Sequence, residues 1–217
     1  MEKILILQPF LSYGGAEAVS IQQAFYLKKR GFEAKVMTLY KKKKLPLFAD
    51  KVEIVSILNL FEFFGTSVLN PHNFPTLWIA VVVGKLLKIP VIWTVHNFPQ
   101  SHFGGGIDKL FAKNCKVIIS VSEKVQDQVK ENFNLNSEII HPAVDYDFWS
   151  KGEGDTVRKK FGLRDDFILL QVARLKREKN QELSIKTFAK VNNKIGNAVL
   201  ILVGDGEDKN RLEMIAK

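Results

Sequence analysis

Residues 4–39 read ILILQPFLSYGGAEAVSIQQAFYLKKRGFEAKVMTL, and the fold class is decided within them. Ile4 to Gln8 has the length and apolar content of a buried strand. After Gly14-Gly15 the spacing sets Ala16, Val19, Ala24 and Leu27 within one angular face of a helix. Lys28, Lys29 and Arg30 occupy its last turn, where cations complement exposed carbonyls, and Gly31 accepts the left-handed conformation that ends it. Phe32 to Leu39 is the next strand.

Outward from this unit the alternation continues, with strands expected near Val52 to Ile57, Ser67 to Leu69, Pro90 to Val95 and Lys116 to Val121. Helices are expected over Thr76 to Leu87 and Lys124 to Phe133. Strands alternating with helices are the pattern of a parallel sheet covered on both faces, so the fold class is α/β, a doubly wound domain over residues 1–150. In the last helix Val125, Val129 and Phe133 recur at i, i+4 and i+8, and Ser120 with Glu123 fits a capping box at its start. Residues 151–166 lose the strand pattern and carry glycines among charges, the mark of a connection with one short helix. From 167 a second domain of the same kind begins: strand Phe167 to Ala173, helix Asn180 to Val191, strand Ala198 to Val203 and helix Glu207 to Lys217. Two strands are too few for an open sheet, so this domain reads as incomplete at Lys217.

Composition narrows the class. The 217 residues are 46% hydrophobic and 25% charged, which is globular and not disordered. The longest apolar run, Leu77 to Trp93, is broken by Lys85, Lys88 and Pro90, and the amino terminus lacks the pattern of a signal peptide, so a cytoplasmic protein is expected. A single cysteine, Cys115, excludes an internal disulfide and a cysteine-rich metal site. The net charge of +9 favours anionic partners. A basic nucleic-acid surface is disfavoured, because the aromatic residues fall in strands and helices and do not interleave with a basic stripe.

Chemistry is expected outside the carboxyl ends of the strands. Gly14 and Gly15 open the first helix there, and two residues without side chains let a ligand approach the helix's backbone N–H groups; a tight turn is the plainer reading of the pair. The strand ending at Ala173 delivers Arg174, and Lys179 follows before the next helix, two cations suited to a diphosphate. Gly204-Asp205-Gly206-Glu207 follows a strand and precedes a helix, which permits close approach of a nucleotide. His96 stands directly after the run Val91 to Val95, a polar ring at a strand's carboxyl end. His-Asn-Phe-Pro occurs twice, at 72–75 and 96–99, each copy after a strand, which is compatible with both lying at the same edge of the sheet; coincidence is the plainer reading of so short a match. No Gly-x-x-x-x-Gly-Lys loop is present, which disfavours a P-loop hydrolase.

Taken in order, Gly14-Gly15-Ala16-Glu17, Thr94-Val95-His96, Val121-Ser122-Glu123, Ile140 to Asp145, Val172-Ala173-Arg174-Leu175 with Lys179, and Leu202 to Gly206 resemble the retaining glycosyltransferases of family 4, which have the GT-B fold. The resemblance implies two facing domains, the first binding the acceptor and the second a sugar nucleotide. It implies that Arg174 and Lys179 bind the donor diphosphate and that Gly14 and Gly15 lie beside the transferred sugar or its phosphate. His96 would line the same cleft as the catalytic histidine, with Gly204 and Gly206 near the nucleotide. No metal or other cofactor is implied, so Asp145-Tyr146-Asp147 is read as structural despite its likeness to a metal-binding Asp-x-Asp. The family's paired glutamates, spaced eight apart, have no counterpart before Lys217, and His141 and Ala143 depart from the usual junction.

The expected function is transfer of a sugar from a nucleoside diphosphate to a hydroxyl acceptor, saccharide or lipid-linked, in cell-surface polysaccharide or glycolipid synthesis. The alternative is a non-catalytic fragment or partner protein that docks on a membrane or another subunit. Lys41 to Lys44, followed by Leu45, Leu47 and Phe48, suggests peripheral contact with an anionic membrane by charge and shallow insertion.

Overall fold

The computed structural model describes residues 1–42, 45–97 and 106–217. They divide into two compact units, Met1–Val144 and Asp145–Lys217. The first unit contains strands β1 (Lys3–Leu7), β2 (Phe10–Leu11), β3 (Glu33–Thr38), β4 (Tyr40–Lys41), β5 (Glu53–Ser56), β6 (Thr66–Pro71), β7 (Ile92–Val95), β8 (Val117–Ser120) and β9 (Glu138–Ile139). Its helices are α1 (Gly15–Lys29), α2 (Phe74–Leu87), α3 (Gly106–Ala112) and α4 (Glu123–Phe133).

Four strands pair in the order β5-β3-β1-β6 and three in the order β7-β8-β9, all parallel, and a parallel bridge between Leu69 and Val91 joins the two sets. The chain therefore builds outward from β1 in one direction through β3 and β5, then returns to the other side of β1 with β6. That reversal is the topological switch of a doubly wound sheet, as expected. Central parallel strands are covered on both faces, and β1 shows it: Leu5 and Leu7 enter one apolar cluster with Met37, Leu69, Leu77 and Trp93, while Ile6 enters another with Ile21, Ala24 and Val36. The connection from β5 to β6 contains a 3₁₀ turn, Leu60–Phe63, where a helix would be usual. Phe63 is buried, and Glu62 pairs with Lys3 at 2.8 Å and Lys35 at 3.1 Å.

Several expectations change at the level of single residues. The buried residues of α1 are Ser20, Ile21 and Ala24, not the stripe through Ala16 and Val19. Polar and apolar residues are interspersed around the helix, so periodicity alone did not fix its face. Val125, Val129 and Phe133 are all buried as the α4 spacing required, but Ser122 is its cap, the side chain accepting from the Val125 amide at 3.4 Å. Ser120 is instead the buried end of β8, in a hydroxyl–hydroxyl bond with Ser137 at 2.7 Å.

The second unit holds helices α5 (Tyr146–Trp149), α6 (Gly154–Phe161), α7 (Gln181–Ile195) and α8 (Lys209–Ala216) with strands β10 (Phe167–Val172) and β11 (Ala198–Val203). The two strands pair in parallel from Phe167 against Ala198 to Val172 against Val203. Its core is small, Leu175, Ile185 and Leu212 with Leu200, Leu202 and Ile215 packed beside them, and Phe167, Leu170 and Val172 are exposed. Residues 145–166 group with this unit and carry two helices. Asp145 caps the first by accepting from the Phe148 amide at 3.0 Å.

Candidate functional site

The switch between β1 and β6 brings three strand ends together in the first unit. β1 delivers Gln8, β6 delivers His72 and β7 delivers His96. Behind them lies a connected set of polar side chains that the apolar core surrounds. His72 is fully buried, and its Nε2 is 2.9 Å from Gln23 Oε1 and 3.1 Å from Asn70 Oδ1. Gln23 Nε2 donates to Asn70 Oδ1 at 2.9 Å, and Asn70 Nδ2 donates to the Ile92 carbonyl at 2.5 Å and to Thr94 Oγ1 at 3.0 Å. His96 Nε2 is 2.9 Å from His72 Nδ1, with ring centroids 5.0 Å apart. The repeated His-Asn-Phe-Pro sequence thus places its two histidines in direct contact, although Phe98 and Pro99 of the second copy lie outside the described residues.

Burial sets the protonation of both rings. Removing a cation from water is costly, so desolvation holds His72 well below the ordinary histidine value, reinforced by the neighbouring His96. Burial likewise lowers His96 to about 4, against an upward pull from Glu17. Both imidazoles are neutral at pH 7.

Gly14 precedes α1 in an extended conformation and offers no side-chain cap, so the helix start is left to backbone amides. A Cβ on Gly14 would overlap the Glu17 carboxylate, which Ser12 holds by donating to Oε1 at 2.8 Å. Nothing lies within 4 Å of where a Cβ on Gly15 would be. Neither residue needs a left-handed backbone: the space at Gly14 is taken by the Glu17 carboxylate, and only Gly15 leaves open space at the positive helix end.

In the second unit Arg174 follows β10 and Lys179 closes a 3₁₀ turn, Arg177–Lys179. Gln181 Nε2 donates to the Arg174 carbonyl at 2.8 Å and Gln171 Nε2 to the Lys179 carbonyl at 3.0 Å, so the backbone under both cations is anchored. Arg174 is exposed, and among the described residues its guanidinium has no hydrogen bond or ion pair. Lys179 lies 3.9 Å from Glu178, a loose solvent-facing pair. Gly204 and Gly206 lie where backbone from the neighbouring loop comes close. A Cβ on Gly204 would strike the Ala173 carbonyl and one on Gly206 the Leu175 carbonyl. The loop after β11 packs backbone to backbone on the loop after β10, with Leu175 N–H donating to the Asp205 carbonyl at 2.9 Å and Asp208 N–H to the Leu175 carbonyl at 3.1 Å. The space freed by these glycines is filled by the chain itself, and their effect is to fix the loop that carries Arg174.

Residues 13–148 match the sequence profile of Glycosyltransferase Family 4, and residues 154–217 match that of Glycosyl transferases group 1. The chain belongs to Glycosyltransferase Family 4. An uncharacterized glycosyltransferase of Methanocaldococcus jannaschii is 25% identical over 211 residues, covering 87% of this chain and 52% of that protein. The alpha-monoglucosyldiacylglycerol synthase of Acholeplasma laidlawii is 23% identical over 162 residues, 63% of this chain and 41% of that one. The fold matches the crystal structure of Anabaena HepE in complex with UDP-glucose, with a TM-score of 0.77 at 18% identity over 99% of this chain and 65% of HepE. The chain spans about half the length of the curated relatives it matches.

For this family 4 chain the polar residues to which sequence reasoning gave no site role are the half-buried Gln23 and the buried Asn70, His72 and Thr94. The repeated tetrapeptide was the available signal for His72; nothing in spacing marked the two amides. Of the three apolar residues expected to insert shallowly into a membrane, Leu47 is exposed. Leu45 and Phe48 pack against the core, Phe48 stacked on Phe25 at 4.6 Å, because an aromatic ring beside an apolar helix gains more from packing than from exposure. Lys43 and Lys44 lie outside the described residues. Among the described residues no helix is long and apolar enough to cross a membrane. Burial pushes the Cys115 thiol up to about 12, which leaves it without nucleophilic character at pH 7.

Proposed function

We propose that the complete gene product transfers a sugar from a nucleoside diphosphate to a hydroxyl acceptor, with retention at the anomeric carbon. One observation carries this: Arg174, an uncommitted guanidinium on an anchored loop at a strand's carboxyl end, with Lys179 on the same strand-to-helix turn. A fork of fixed charge and a compact charge stabilise phosphate oxygens that gain charge as the glycosidic bond to the diphosphate breaks, which is the electrostatic part of such a reaction without a metal ion. In the first unit, the amide-lined start of α1 at Gly14 and Gly15 and the neutral ring of His96 serve the sugar and its acceptor. Membership of the family over both parts of the chain supports the enzyme over a non-catalytic docking fragment.

A lipid-linked or saccharide acceptor, in cell-surface polysaccharide or glycolipid synthesis, is supported by the glycolipid product in the name of the Acholeplasma relative. Such an acceptor would bring a cytoplasmic protein to an anionic membrane surface, through charge at Lys41 and Lys42 without the insertion of Leu45 and Phe48. The experiment is transfer of labelled sugar by the complete gene product from a panel of nucleoside diphosphate sugars, UDP-glucose first, to diacylglycerol-containing vesicles and to oligosaccharides. Product with the donor's anomeric configuration is expected. No turnover of any donor on either acceptor class would remove the proposal, and product of inverted configuration would remove retention alone.

A further inference from the structure

The buried polar set behind His96 determines where that ring keeps its proton, and the determination starts from an atom with no freedom. The Ile92 carbonyl can only accept, so the Asn70 atom 2.5 Å from it is the amide nitrogen. Asn70 therefore turns Oδ1 toward Gln23 and His72. Gln23 must then donate to that oxygen through Nε2, at 2.9 Å, which turns its own Oε1 to His72 at 2.9 Å. His72 Nε2 faces two acceptors and carries a hydrogen. The ring is fully buried, and a second hydrogen on Nδ1 would make it a cation without a counter-ion in contact, so Nδ1 is a bare acceptor. The nitrogen 2.9 Å away, His96 Nε2, must donate to it.

We propose that His72 is a positioning residue that locks His96 in the Nε2–H form, so that Nδ1 of His96 meets the substrate as a hydrogen-bond acceptor for a sugar or acceptor hydroxyl. The proposal rests on the reading of this sheet edge as a substrate edge. An imidazole left alone exchanges between two neutral forms, and in the other form Nδ1–H would attract a phosphate oxygen. The lone pair repels that oxygen and accepts from a hydroxyl. The relay from Ile92 through Asn70, Gln23 and His72 thus makes the first unit's ring selective for the uncharged, hydroxyl-bearing part of a ligand. The resting charge on both rings, neutral through burial, is consistent with this.

The proton positions are read directly by nuclear magnetic resonance of the chain labelled with ¹⁵N-histidine at pH 7. His96 is expected as a single Nε2–H form, with a coupling across the hydrogen bond from its Nε2 to His72 Nδ1. An Nδ1–H or cationic His96, or no such coupling, would overturn the relay. His72→Asn keeps an acceptor near the place of Nδ1 and should preserve the single form. His72→Phe keeps the ring shape without the acceptor and should let the Nδ1–H form appear; an unchanged His96 in folded His72→Phe protein would also overturn it. In the complete gene product with UDP-glucose, His72→Phe should lower kcat/KM about tenfold and His72→Asn recover part of that, since a wrong tautomer disables an otherwise intact ring. Spectra as expected with unchanged turnover in His72→Phe would leave the tautomer lock standing and remove this sheet edge from the reaction.

Discussion

The two units solve the same problem, holding polar groups at strand ends, by opposite means. In the first, the groups are buried or half-buried, neutral and fixed by side-chain hydrogen bonds that run from Ile92 to His96. In the second, the charged groups stand in solvent, and what is fixed is the backbone beneath them, by two glutamine amides and by glycines that let one loop lie on another. A neutral network is sensitive to shape and proton count and indifferent to salt. Exposed cations are sensitive to charge and salt and indifferent to small changes of shape. The contrast teaches where each kind of perturbation should register.

The largest effect is expected from removing the exposed charge. Arg174→Ala with Lys179→Ala in the complete gene product should slow transfer on the order of 10³-fold, because preorganised charge at a developing anion contributes several kcal/mol to the transition state. Neither side chain supports the core, so the circular dichroism and melting temperature should stay as they are. An unchanged rate would show that exposure at this strand end is ordinary surface, and the comparison between the units would lose its second half.

Acid should separate the units next. A histidine whose folded value lies below its unfolded one stabilises the fold above the unfolded value, and that contribution is lost as pH falls through the folded one. For His96, ordinarily 6.5 and lowered to about 4, the window is pH 6.5 down to 4. The loss over that window is on the order of 3 kcal/mol, with His72 acting in the same direction. Residues 145–217 contain no histidine, so the second unit should be untouched by this process. Fluorescence of a Trp149→Phe variant, which keeps Trp78 and Trp93 as reporters in the first unit, followed against urea at pH 7 and pH 4.5 would measure it. Equal stability at the two values would mean that the rings are not held neutral.

What was legible in the sequence follows the same division. Strands such as Ala198 to Val203 and the α4 stripe Val125, Val129 and Phe133 are written in runs and spacings, since apolar burial is a property of one residue type at a time. Arg174 was legible for the related reason that a cation at a strand end is visible in one dimension. The network behind His96 was not. Its members come from α1, β6 and β7, and a hydrogen bond between distant segments has no period in the chain. The glycines were legible as glycines but not in purpose, because an absent Cβ looks the same whether it makes room for a ligand or for a neighbouring carbonyl. Gly206→Ala tests that distinction: the new methyl meets Leu175 backbone, which cannot swing aside, so about 2 kcal/mol of stability should be lost. Hydrogen exchange at Leu175 and Asp208 should accelerate with it. Protection unchanged at both would mean that the two loops do not rest on each other.

The smallest effect is expected at Gly15, and it bears most on what open space is for. This residue starts α1, its backbone is not left-handed, and nothing lies within 4 Å of an added Cβ. Gly15→Ala should therefore stabilise the first unit slightly, by about 0.5 kcal/mol, because alanine loses less backbone freedom than glycine in a helix. If the space serves only a tight turn, the variant is a neutral improvement and turnover follows the wild type. If a phosphate or sugar comes down onto the amides at the start of α1, the methyl stands in its path. The Michaelis constant for UDP-glucose should then rise several-fold in the complete gene product while the melting temperature rises too. Opposite movements of stability and affinity in one variant cannot come from damage to the fold. An unchanged Michaelis constant would return Gly14-Gly15 to an ordinary turn and leave His96, with the relay behind it, as the first unit's remaining group at that edge.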